Sequence, residues 1–304
     1  YTIAPDGTVT FTPDKQFVGS PDPVTVKRVD KNGTPVTATY SPEFTKVTPT
    51  STDATSNGIQ GQSQKGIPSF TAGNSAVSID DTKSMTFEDG QSMKTVPGVG
   101  EYSINPDGSI TFTPDKQYVG TPDPVTVKRV DKNGTEVTAT YTPTVTKVTP
   151  TSTNATSKGP QGLPQTGTPT FQGGDPLVPI DDTKPMTFED GSKEKTIPGQ
   201  GTYTIAPDGT VTFTPDKQFV GKPTPVTVKR VDKNGTPVTA TYSPEFTKVT
   251  PTGKDTSSVN IKGLVQTGTP TFEGGDPLVP IDETVAATFE DGSTEKVIPG
   301  EGTY

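Results

Sequence analysis

The sequence repeats every 101 residues without a single insertion or deletion. Tyr1, Tyr102, Tyr203 and Tyr304 share one phase of the repeat, as do Asp6, Asp107 and Asp208, and Phe70, Phe171 and Phe272. Residues 1–50 and 203–252 differ only at Ser20 against Lys222 and Asp22 against Thr224. A chain of 304 residues built this way is not one large domain but about three equivalents of one small fold, each needing its own core. The first and last residues fall at the same phase, which is the expectation for a stretch of a longer array.

What kind of fold each unit adopts follows from its apolar residues. There are 30 Val, 13 Phe and 8 Tyr, against 4 Leu and 11 Ala, and Thr reaches 58. β-branched and aromatic side chains suit a pleated surface, whereas strong helix formers are scarce. Local patterns agree. Tyr102 and Ile104 alternate with polar positions, Pro106-Asp107-Gly108 turns the chain, and Ile110 and Phe112 alternate again. Period two on both sides of a turn predicts a hairpin, and Ile3 to Phe11 and Ile205 to Phe213 repeat it. A second hairpin is predicted at 125–141 around Asp131-Lys132-Asn133-Gly134, with a bulge or twist near Lys128-Arg129 because Val130 falls out of phase with Val127. A third is centred on Glu189-Asp190-Gly191. Pro198-Gly199-Gln200-Gly201 reads as a tight turn into the Tyr203 strand.

Residues 148–160, with counterparts at 48–59 and 249–261, are rich in Thr, Ser, Pro and Gly and lack a clear period, so they read as linkers. In this frame residues 1–46 are the C-terminal part of one repeat, 47–147 and 148–248 are complete repeats, and 249–304 begin another. The expected fold class is all-β: a tandem array of small antiparallel β-sandwich-like domains of about seven short strands, joined by Thr/Ser/Pro-rich linkers.

Composition also restricts chemistry. The chain has no Cys and no His, so disulfides, thiolate metal sites and Ser-His-Asp or Cys-His nucleophilic machinery are excluded. Asp and Glu outnumber Lys and Arg 35 to 26, for a net charge of -9. The excess is spread along the chain, which disfavours nucleic acid as a partner. No apolar run reaches the length of a membrane span.

Several motifs invite a functional reading. Leu163-Pro164-Gln165-Thr166-Gly167 matches the sorting pentapeptide of Gram-positive surface proteins, but Thr168-Pro169-Thr170-Phe171 and another repeat follow it rather than an apolar segment and basic tail. Asp80-Asp81, Asp181-Asp182 and Asp282-Glu283, and the Glu-Asp pairs at 88–89, 189–190 and 290–291, could serve glycoside chemistry or Ca²⁺. The Glu-Asp pairs, however, run into Gly at turns, and no chelating loop is present. Asn32, Asn133, Asn234 and Asn154 match the glycosylation pattern, the first three within one turn phase. The basic pairs Lys27-Arg28, Lys128-Arg129 and Lys229-Arg230 read as a solvated strand face or as a weak ladder for an acidic polymer. Lys46, Lys147 and Lys248 would be the candidates for an isopeptide crosslink, which needs a buried Lys. No catalytic, cofactor-binding or metal-ligating residue, and no cofactor, is assigned.

The strings Thr-Phe-Glu-Asp-Gly-Ser (187–192), Ile-Pro-Gly-Gln-Gly-Thr-Tyr-Thr-Ile (197–205), Pro-Asp-Gly-Thr-Val-Thr-Phe-Thr-Pro-Asp-Lys-Gln-Phe-Val-Gly (207–221) and Val-Lys-Arg-Val-Asp-Lys-Asn-Gly-Thr (228–236) resemble the CshA-type fibril repeat of streptococcal surface adhesins. The resemblance runs through every copy. It implies a secreted, cell-wall-anchored protein on the surface of a Gram-positive cell, whose repeats build a fibril. Adhesion in that family usually belongs to a non-repetitive region outside the repeats. The implied role is a non-enzymatic stalk or spacer in a monomeric chain. Its partners would be neighbouring repeats and, through the full-length protein, host extracellular-matrix or salivary glycoproteins or other bacteria. The alternative is that each repeat is a weak, multivalent binding module for host glycoprotein or saccharide.

Overall fold

A computed structural model describes residues 1–304 and contains strands but no helix. The chain separates into two units, one formed mainly by residues 1–149 and the other mainly by 150–304.

In the first unit, β1 (Thr2–Ile3) pairs with β2 (Val9–Thr10), and β3 (Val24–Val29) with β4 (Pro35–Tyr40). Ten strands follow: β5 (Thr50–Thr52), β6 (Ala54–Ile59), β7 (Gln64–Gly66), β8 (Ser69–Thr71), β9 (Thr86–Phe87), β10 (Met93–Val96), β11 (Gly100–Ile104), β12 (Ile110–Pro114), β13 (Val125–Val130) and β14 (Glu136–Thr146). Eight of them form two four-stranded sheets, ordered β10-β11-β12-β7 and β6-β14-β13-β9, while β5 and β8 make a short ribbon. Phe87, Val127 and Tyr141 from one sheet meet Tyr102, Ile110 and Phe112 from the other in a single buried cluster. This is a β-sandwich. The aromatic rings dominate its thin core: Tyr102 stacks on Phe112 at 4.5 Å and meets Tyr141 edge-on at 6.2 Å.

The second unit repeats the plan. Its strands are β15 (Thr151–Thr153), β16 (Ala155–Pro160), β17 (Gln165–Gly167), β18 (Thr170–Gln172), β19 (Thr187–Phe188), β20 (Glu194–Ile197), β21 (Gly201–Ile205), β22 (Val211–Pro215), β23 (Val226–Val231) and β24 (Pro237–Thr247). They form sheets β20-β21-β22-β17 and β16-β24-β23-β19 and the ribbon β15-β18. Tyr203, Phe213 and Tyr242 take the places of Tyr102, Phe112 and Tyr141. After residue 250 only two short ribbons form: β25 (Thr252–Lys254) with β26 (Thr271–Glu273), and β27 (Val297–Ile298) with β28 (Gly302–Thr303).

The hairpin read from Tyr102 to Phe112 is β11-β12, with Ile104 opposite Ile110. Gly108 takes φ +79° and its N–H donates to the Asn105 carbonyl, which is the left-handed position the Pro-Asp-Gly turn required. The tight turn before Tyr203 joins β20 to β21. Three expectations are corrected. The β13-β14 register runs unbroken from Val125 opposite Tyr141 to Val130 opposite Glu136, so there is no bulge near Lys128-Arg129. Val130 simply lies on the face opposite Val127. Glu189-Asp190-Gly191 closes a turn, with the Gly191 N–H on the Phe188 carbonyl, but it is not the tip of a hairpin. Phe188 enters the sheet of β23, and Ile197 enters the sheet of β21. Finally, much of the linker-like stretch 148–160 is strand, β15 and β16, as are β5 and β6 in 48–59. These residues lack apolar periodicity because their inward positions are small: Ala54, Ser56 and Gly58.

Burial raises the pKa of the Tyr102, Tyr141, Tyr203 and Tyr242 hydroxyls. Unfolded tyrosines ionise near about 10. Above that pH the unfolded chain therefore loses protons that the folded chain keeps, and stability falls as pH rises. An alkaline titration is expected to show these four tyrosinates only together with loss of the β-sheet circular dichroism. Their appearance while the strand signal is intact would contradict the buried core.

Candidate functional site: the parallel strand clamp

The first and last long strands of each sandwich lie side by side. β6 pairs with β14 in parallel, from Ala54 opposite Tyr141 to Ile59 opposite Thr146, and β16 pairs with β24 from Ala155 opposite Tyr242 to Pro160 opposite Thr247. Antiparallel pairing accounts for every other ladder in the two sandwiches. β14 is 11 residues long, which gives it room to pair on both sides. Residues 136–141 face β13, whereas 141–146 face β6 on the other side.

Side chains lock this pair. The Ser56 hydroxyl donates to Gln64 Oε1 at 2.7 Å, and Gln64 Nε2 donates to the Thr144 carbonyl at 3.0 Å. The Tyr141 hydroxyl lies 2.7 Å from Ser56 Oγ. Since the one Ser56 proton is already given to Gln64, the tyrosine is the donor. Three strands are thus tied by one buried polar chain, in which removing a member would leave the others unsatisfied. The second unit keeps two of its links, Tyr242 with Ser157 at 2.7 Å and Gln165 Nε2 with the Glu245 carbonyl at 2.8 Å. Small residues make the approach possible. A Cβ placed on Gly66 would lie 2.2 Å from Tyr141 Cε2, and one on Gly167 2.4 Å from Tyr242 Cε2. Midway along β14, one residue before its pairing with β6 begins, Asp53 Oδ1 accepts the Thr140 N–H at 2.7 Å, and Asn154 does the same for Thr241 in β24 at 2.8 Å.

The motifs singled out from sequence have local tasks. Gln165-Thr166-Gly167 of the sorting-like pentapeptide is β17, with Gln165 buried and Gly167 under the tyrosine ring. Asp80 Oδ1 accepts the Thr82 N–H and hydroxyl, and Asp81 pairs with Arg129 at 2.9 Å. Arg230 and Asp182 repeat that pair at 2.9 Å. In two of the three basic pairs the arginine is therefore largely sheltered and pins the acidic loop, whereas Arg28 of the third is exposed and donates to the Pro5 carbonyl. No group of three or more carboxylates converges on one point. Lys46, Lys147 and Lys248 are exposed, which removes the burial that an isopeptide bond requires. One residue read from sequence only as part of a turn also organises it. Asp131 is fully buried, and its Oδ1 accepts the N–H groups of Asn133 and Thr135 at 2.9 and 2.8 Å, setting the Asn133-Gly134 turn. The signal for it was present in the Asp two places before each Asn-Gly.

Hydrogen bonds from nearby Thr and Ser residues hold three other turn carboxylates, Asp80, Asp107 and Asp181, below their ordinary pKa. Thr82 does so for Asp80 and Ser109 for Asp107, while Thr183, followed by Lys233, draws Asp181 down to about 2. Depressed folded values mean that the unfolded chain binds more protons in acid, so the stabilisation is present above about pH 4 and is lost as pH falls toward 2. Thermal melts are expected to shift downward across that window and to change little between about pH 5 and 7. A melting temperature independent of pH below 4 would show that the turns do not depend on their charges.

A family profile described as the surface adhesin CshA repetitive domain matches residues 1–44, 46–145, 147–246 and 248–304. The chain belongs to this family. Repeat domain 13 of the fibrillar adhesin CshA from Streptococcus gordonii is 92% identical over 24% of this chain and 94% of that chain, with a TM-score of 0.15. Mouse cadherin-23 EC22-24 is 14% identical, covering 79% of this chain and 78% of that one, with a TM-score of 0.31. Protocadherin gammaB7 EC3-6 is 10% identical, covering 89% and 71%, with a TM-score of 0.34. The relation to the CshA repeats therefore rests on sequence. Among curated proteins none matches the chain.

Proposed function

We propose that these CshA repeats are stalk units that space an adhesive region away from a bacterial cell wall and transmit tension along the chain. The observation that supports this reading is the parallel pairing of β6 with β14 and of β16 with β24. Tension enters a repeat at its two ends. When the terminal strands are parallel neighbours, pulling the ends apart slides one along the other and strains all the shared hydrogen bonds together. Nothing in this role calls for a nucleophile, a general base or a cofactor, and the repeats are taken as non-enzymatic. The complete units are residues 47–147 and 148–248. Localisation is extracellular, with wall anchoring supplied elsewhere in a longer protein, and contacts with host glycoproteins or other bacteria belong to that protein as a whole.

The test is a series of full-length proteins differing only in repeat number, displayed on cells. Fibril height is expected to fall in proportion to the repeats removed, while the purified adhesive region keeps its affinity. Height that does not follow repeat number would refute the spacer role. Retention of host glycoprotein by the immobilised 304-residue chain would favour the repeats as binding modules.

A further inference from the structure

Tyr102 is fully buried, yet its hydroxyl has no hydrogen-bond partner. Two of its counterparts have one: Tyr1 donates to the Asp22 carbonyl at 2.8 Å and Tyr203 to the Thr224 carbonyl at 2.9 Å. The second unit holds the segment over its tyrosine by one further bond. In the second unit Gln200 Oε1 accepts the Thr224 N–H at 2.7 Å and draws segment 222–225 over the tyrosine. The first unit carries Val99 at that phase, which can hold nothing. Beside Tyr102 lies a cavity of about 490 Å³, lined by Val96, Val99 and Pro122 and by half-buried Lys94 and exposed Asp123. That volume is within the range of small-ligand sites, about 300–1,000 Å³.

We propose that this cavity binds the acetamido group of a neutral N-acetylated ligand. An orphaned buried hydroxyl calls for a carbonyl acceptor. Apolar walls suit the attached methyl, and Asp123 can take the amide N–H. One cation and one anion in the lining balance, which favours a ligand without net charge. Segment 121–124 lacks both bonds that fix its counterpart, so it is the part that yields to admit the ligand. The site belongs to one complete repeat and not to the other, and it stands apart from the stalk role.

Saturation-transfer NMR on the 304-residue chain tests this, with N-acetylglucosamine and N-acetylalanine amide as probes and glucosamine as control. Transfer to the acetyl methyl of either probe, and none to glucosamine, is the expected result; the stronger arm tells whether a sugar or a peptide is the better source. Tyr102→Phe should weaken binding about threefold to tenfold, the value of one neutral hydrogen bond. Val99→Gln, a residue the sister repeat already tolerates, should restore the latch and abolish the signal, and Gln200→Val should add a second site. No transfer from either probe, or transfer unchanged by Val99→Gln, overturns the proposal.

Discussion

Stretched from its two ends in a single-molecule instrument, the chain is expected to lengthen in two large, equal steps, one for each complete sandwich. Strands β5 to β14 span residues 50–146, and an extended chain covers about 3.3–3.6 Å per residue, so each step should release on the order of 300 Å. The force should depend on direction. Pulled through residues 55 and 146, β6 and β14 slide past one another and their bonds fail together. Pulled through residues 59 and 146, which are direct partners, the same bonds open one after another. Because the chain has no Cys, handles can be placed by Thr55→Cys, the exposed neighbour of Ala54, or by Ile59→Cys, each with Thr146→Cys. The first geometry should need a clearly larger force. Equal forces in the two geometries would remove the clamp as the source of resistance, and with it the physical support for a tension-bearing stalk.

The second large effect concerns one methyl group. Gly66→Ala would set a Cβ 2.2 Å from the ring of Tyr141, far inside any contact distance. The ring cannot swing aside, because it is fully buried and its hydroxyl is tied to Ser56. Overpacking of this kind costs about 1–3 kcal/mol, or roughly 5–20 °C in the melting temperature of a domain near 100 residues. The chain carries its own control, since Gly167 and Tyr242 in the second sandwich are untouched. Calorimetry of Gly66→Ala should show one transition lowered and one unchanged. The double variant Gly66→Ala/Tyr141→Leu should lose less than the sum of its parts, since the smaller side chain makes room. Strict additivity would mean that the glycine is not there for the tyrosine.

These two features were the hardest to read from sequence, and the reason is distance along the chain. The β11-β12 hairpin is legible because Tyr102, Ile104, Ile110 and Phe112 alternate around a turn whose residues announce it. The same is true of β13 and β14 around Asp131 to Gly134. The β6 strand carries no such signal. Its inward residues Ala54, Ser56 and Gly58 are small because Gln64 and Tyr141 come to them, and Tyr141 is supplied by a strand 87 residues later. A pattern window sees only Thr, Ser, Asn and Gly and reads a linker. The Glu-Asp-Gly turns mislead in the opposite sense. Their local chemistry is that of a hairpin tip, but the two arms are claimed by different sheets, and that choice is made by packing. Of the acidic pairs, Asp80-Asp81 has partners in Thr82 and Arg129, the second of them 48 residues away in sequence.

The pairing of an early strand with the last one also bears on how such arrays change over generations. Every strand of the sandwich finds its neighbours between residues 50 and 146, so a whole unit can be duplicated or lost without exposing a ladder in the units beside it. Part of a unit cannot. Tyr102 and Tyr141, from the later half of the plan, are fully buried in one cluster with Ala54 and Phe87 from the earlier half. Recombination between near-identical copies is thus tolerated in steps of 101 residues, and an out-of-phase crossover would leave an apolar face in water. Selection on such a gene can set the reach of the protein in whole-number increments, while the fold itself keeps the repeat length from drifting.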